Sequence, residues 1–161
     1  MAVALRGVAQ GLLSPGSVVA WPAGTAAGDL AVLRIITDGM SGGAPGASGW
    51  IPAMGGCWWK RLSSADVAAP LPVSGTGFML AVFSGAGSIG RTSAQSGLTV
   101  GVPGSAVWIV GSRAVSGVAP DTYRLAPEWV DAVGWAHAQF VPPSSSGWVQ
   151  LPGAPAEAGC Q

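Results

Sequence analysis

Asp29-Leu30-Ala31-Val32-Leu33-Arg34-Ile35-Ile36 is the most informative stretch of this chain. Read as a strand, its side chains alternate between two faces. One face then carries Leu30, Val32 and Ile36, and the other Ala31, Leu33 and Ile35. Phe78-Met79-Leu80-Ala81-Val82-Phe83 repeats the pattern, with Phe78, Leu80 and Val82 against Met79, Ala81 and Phe83. An antiparallel sheet commonly leaves one face to water. Strands that are apolar on both faces need two covers. The second cover is either a loop folded over the outside or a neighbouring subunit.

The same grammar extends along the chain. Short β-branched or aromatic runs are bounded by clusters of Gly, Pro and Ser. Besides residues 29–36 and 78–83, strands are predicted at 17–21, 58–62, 98–102, 106–111, 122–125, 133–141 and 148–151. Long connections are expected at 37–57 and 63–77. With 26 Gly and 13 Pro, no 3.6-residue apolar stripe runs far. At most one or two short helical turns are expected, the best at Pro127–Asp131, where Pro and Glu128 suit a first turn. Crossover helices have no room, so the fold class is all-β, an antiparallel, jelly-roll-like β-sandwich. The 161 residues suit one domain, 1–161. Residues 1–16 are expected to form an N-terminal arm and 152–161 a C-terminal tail, both as interface segments.

Charge excludes several partners. Only 9% of residues are charged, against roughly 25% in an average domain. Seven Lys and Arg balance seven Asp and Glu. Nucleic acid needs a basic footprint, and Lys60-Arg61 is the one adjacent basic pair. The uncharged run 67–90 is interrupted by Pro70, Pro72 and several Gly, so membrane insertion is not expected. The first residues lack a continuous apolar core, so synthesis in the cytoplasm without a cleaved signal is expected. A chain with so little charge is poorly soluble alone unless Gly, Ser, Thr and Pro tile its surface or other subunits cover it.

Chemical motifs are sparse. Gly85-Ala86-Gly87-Ser88-Ile89-Gly90 matches a dinucleotide fingerprint after a strand. That chemistry needs a helix opening at the turn and an acidic residue about 20 positions on. Another strand pattern follows instead, and the next acidic residue is Asp121. The segment is therefore expected to be a glycine-rich turn, and no cofactor is expected. His137 is the one histidine, too few for a multi-His metal site. No G-x-S-x-G elbow accompanies it. Asp29, Asp38, Asp66, Asp121, Glu128, Asp131 and Glu157 stand singly, without the clustering of a calcium loop. Asp29 after Gly28, and Asp121 after Pro120, read as turn chemistry. Cys57, before Trp58-Trp59, reads as a small buried hydrophobe, and Cys160 lies in the tail. No catalytic or metal site is expected, and the chain is not expected to be an enzyme.

Eight Trp supply most of the aromatic area. Trp serves cores, interfaces and sugar platforms alike. Trp50, in the Gly-rich loop, and Trp148, after Ser144-Ser145-Ser146-Gly147, are the candidates for exposed contact. Ala136 and Ala138 lie with Gly134 and Phe140 on a face of small residues that another backbone could approach. That face meets either a partner or the opposite sheet.

Val18-Val19-Ala20-Trp21-Pro22-Ala23-Gly24-Thr25-Ala26-Ala27-Gly28-Asp29-Leu30-Ala31-Val32-Leu33 resembles the opening of a β-sandwich domain of tailed-phage virion proteins. The shared order is strand, Pro-x-Gly, short linker, Gly-Asp-Leu and a second apolar strand. The Gly49-Trp50 loop, the turn after Phe83 and the 133–141 strand fit the same pattern. The segment Pro22–Leu33 is the specific part, and it carries no catalytic residue. The resemblance implies a structural subunit of the virion, at the tail tip, fibre or capsid surface, assembled with itself and with larger virion proteins. Contact with a host-surface glycan is a further implication. The alternative is a monomeric glycan-binding module that uses exposed Trp.

Overall fold

The computed structural model describes residues 3–37, 40–41, 43–53 and 57–89, and beyond them the backbone of strands at 92–93, 97–100, 107–111, 124–130, 135–141, 147–150 and 158–160. In chain order the first elements are β1 (Ala4–Leu12), β2 (Val18–Val19), β3 (Leu30–Thr37), β4 (Met40–Ser41), β5 (Ile51–Pro52) and β6 (Cys57–Arg61). Next come the helical turn α1 (Ser64–Val67), β7 (Leu71–Pro72) and β8 (Gly77–Ser84). They are followed by β9 (Thr92–Ser93), β10 (Gly97–Val100), β11 (Val107–Gly111), β12 (Arg124–Val130), β13 (Trp135–Val141), β14 (Gly147–Gln150) and β15 (Ala158–Cys160).

Among the described residues every strand pairing is antiparallel. The main sheet runs β1-β8-β3-β6-β5, with β4 on β3. A five-stranded sheet runs β12-β13-β11-β15-β9, and β10-β14 and β2-β7 are two-stranded. The chain is thus all-β, with α1 the one helix among the described residues.

The two-sided apolar strands lie at the centre. In the β3–β8 ladder Leu33 faces Leu80, Val32 faces Ala81 and Ala31 faces Val82. Leu33, Leu80, Ala31, Ala81 and Val82 are all 0% exposed. Val19, Trp50, Leu62, Leu71 and Val73 close over the face that carries Ala31, Leu33, Ile35, Leu80 and Val82. On the other face Val3, Leu5, Val8, Trp59, Ala86 and Ile89 pack against Leu30, Val32, Met79, Ala81 and Phe83. Both faces are therefore covered within one chain, and these strands need no neighbouring subunit to stay dry. Each fully buried Leu or Val contributes about 1.5–3 kcal/mol to that closure.

Several sequence expectations change. The arm expected at 1–16 is largely β1, an outer strand of the main sheet paired with β8 from Ala4↔Ser84 to Leu12↔Gly77. Its Gly and Ala content hid it, because neither residue advertises a strand. In the tail, Ala158–Cys160 forms β15 against β11 and β9. The helix expected at Pro127–Asp131 is replaced by β12, which spans Arg124–Val130. Its register with β13 shifts between Ala126 and Trp129, around Pro127. A bulge is where a strand tolerates a residue that has no N–H to donate.

The helix that does form begins at a capping box. The Ser63 side chain accepts from the Asp66 N–H, and the Asp66 carboxylate accepts from the Ser63 N–H. Ser63-Ser64-Ala65-Asp66 carries that signature in sequence. The long connections at 37–57 and 63–77 hold the short pieces β4, β5, α1 and β7, of which β7 through Leu71 and α1 through Val67 join the cover.

Leu33→Ala or Leu80→Ala should lower the unfolding free energy by about 2–5 kcal/mol, the range for a buried Leu that leaves a cavity. Urea denaturation followed by circular dichroism measures it. A change below about 0.5 kcal/mol, usual for surface substitutions, would contradict burial on both faces.

Candidate functional site

The segment Pro22–Asp29 folds into two successive turns at one corner of the main sheet. Thr25 N–H donates to the Pro22 carbonyl at 3.2 Å, and the Thr25 hydroxyl donates to the same oxygen at 2.6 Å. Asp29 N–H then donates to the Ala26 carbonyl at 3.2 Å. Gly24 and Gly28 have φ of +81° and +91°, the left-handed region that costs a side chain. These are the glycines of the Pro-x-Gly and Gly-Asp-Leu elements, so the motif's composition follows from its turns.

Asp29 holds this corner together. It is 4% exposed, and its Oδ2 accepts from Ala26 N–H at 2.9 Å and from Arg6 Nε at 2.6 Å. The turn chemistry expected of Asp29 is present, and the Arg6 contact adds an ion pair from β1. Arg6 sits at the register shift of β1, between Leu5 and Gly7. A Cβ added at Gly7 would come 2.8 Å from Pro22 Cβ, so only glycine lets β1 pass this close. Leu62 completes the corner, its carbonyl accepting from Gly28 N–H at 2.7 Å and its N–H donating to the Asp29 carbonyl at 2.8 Å.

Beside the corner stands an aromatic clamp. The Trp21 and Trp50 rings stack with centroids 6.5 Å apart and planes 6° apart. Trp21 Nε1 donates to the carbonyls of Asp66 and Ala69, each at 2.8 Å. Lys60 Nζ donates to Asp66 Oδ1 at 2.5 Å and to the Ser48 carbonyl at 2.7 Å. One lysine therefore ties α1 to the loop that carries Trp50. Partial burial acts to raise the Asp66 carboxyl, but hydrogen bonds from Lys60 and Ser63 and the Lys60 charge outweigh it. The group is held below its ordinary 3.8.

Trp50, a candidate for exposed contact, is 9% exposed and packs with Trp21 on its face, the core role that Trp equally serves. The Gly-rich loop folds inward because the ring covers Leu33 and its neighbours better than small residues could. The Trp148 side chain lies outside the described residues; its backbone in β14 pairs with Thr99. Ala136 and Ala138 lie on β13, an inner strand between β12 and β11, opposite Trp129 and Val110 respectively. Their side chains, and those of His137 and Cys160, also lie outside the described residues, as does all of Asp121. Cys57 is buried, at 1% exposed.

The fingerprint segment forms no helix over residues 85–89, and β9 occupies 92–93. The helix N-terminus that would hold a pyrophosphate therefore has no place there. Among the described residues no three of His, Cys, Asp and Glu cluster as metal ligands. Sequence inspection missed Arg6, Lys60 and Arg34. Arg34 is 1% exposed, on β3 opposite Met79 and Cys57. An acidic partner for Arg6 could have been sought at the one motif Asp, but nothing local announces that pairing.

Comparison with known proteins adds no relative: no family model, no curated protein and no solved structure matches this chain.

Two measurements check the corner and the clamp. Asp29→Ala should destabilise the fold by about 0.5–1.5 kcal/mol, because it removes the acceptor shared by the Ala26 N–H and Arg6. Asp29→Asn, which keeps an acceptor, should cost less. Equal losses in denaturation would deny the turn its role. For Asp66 the folded pKa lies below the unfolded one, so its contribution is complete above the unfolded value and vanishes as pH falls through the folded value. Thermal stability should decline below about pH 4. Asp66→Asn should lower Tm at pH 7 and flatten part of that acid decline, which a Tm series across pH would reveal.

Proposed function

We propose that the chain is a small structural subunit of a tailed-phage virion, built as a jelly-roll-like β-sandwich. It is made in the host cytoplasm and carried in the particle at the tail tip, fibre or capsid surface. It acts by packing against copies of itself and larger virion proteins, and no chemical step belongs to this role. The observation that carries the proposal is the corner at Pro22–Asp29. The segment that resembles virion sandwich domains is used here wholly for shape: two turns, one buried Asp and the entry to β3.

Surface character supports the same role. Leu12, Val18 and Ile51 are 60%, 58% and 46% exposed on a chain with 9% charged residues and no net charge. Such a surface favours association over free solution. The burial of both faces of β3 and β8 within one chain moves the expected contacts outward, to strand edges and turns. The glycan-binding alternative loses Trp50 as a platform.

The test is to purify particles from cells that make this protein and to identify their proteins by mass spectrometry. The chain should sediment with particles at a fixed copy number and survive high-salt washing. Absence from particles, together with a monomer that binds glycans saturably and loses binding on Trp148→Ala, would replace the proposal with the glycan-binding module.

A further inference from the structure

We draw no further inference here: the strongest candidate, the loop that carries Trp50 as an acid-released lid over the core beneath β2 and β7, belongs to the clamp already described, and protonation of Asp66 would remove only the Lys60 tether while the buried ring stacked on Trp21 and the Gly46 N–H bond to the Pro72 carbonyl still hold it closed.

Discussion

Leu33 lies against Leu80 across the β3–β8 ladder, and neither has any surface exposed to water. The strands that carry them are apolar on both sides, so the sheet is stable only between two covers. Much else in the fold answers that constraint. On one side the short strands β2 and β7, the Trp50 loop and Leu62 supply the cover. On the other, β1 residues, Trp59 and the turn after β8 pack against the central strands. Short elements of two to four residues suffice here because they contribute side chains to a layer, not ladders of their own.

Covers made of turns must be pinned, since loops gain little from their own hydrogen bonds. Two devices do this, and in both a carboxylate accepts one backbone N–H and pairs with one cationic side chain. Asp29 gathers the double turn and draws Arg6 of β1 onto it. Asp66 caps α1 and draws in Lys60, which in turn holds the Ser48 carbonyl beside Trp50. A chain with seven acidic residues spends two of them this way. Scarce charge is used for architecture.

Closing both faces within the chain also changes where contacts with other molecules belong. Residues 31–35 and 78–83 of the central strands are buried, and among the described residues the exposed large apolar side chains are Leu12, Val18 and Ile51. Edges are the usual weak point of β proteins and are commonly blocked by charge, proline or a bulge. Here β1 has its bulge at Arg6 and β5 carries Pro52.

Much of this was legible in the residues alone. Alternation and turn punctuation are local signals, so the all-β class, the two-sided strands at 29–36 and 78–83, and the glycine-dependent turns at Gly24 and Gly28 follow from sequence. Other features depend on residues far apart in the chain, and no local pattern encodes them. The pairing of β1 with β8 joins segments about seventy residues apart, and β1 itself is too rich in Gly and Ala to declare a strand. Pro127–Asp131 has the letters of a helix start, yet pairing with β13 makes its described part, up to Val130, a bulged strand. Trp50 sits among glycines that suggest exposure, and only the stack on Trp21 and the lysine tether turn it inward. Local sequence fixes what each segment can be; burial and pairing partners are settled by the surfaces that distant segments bring.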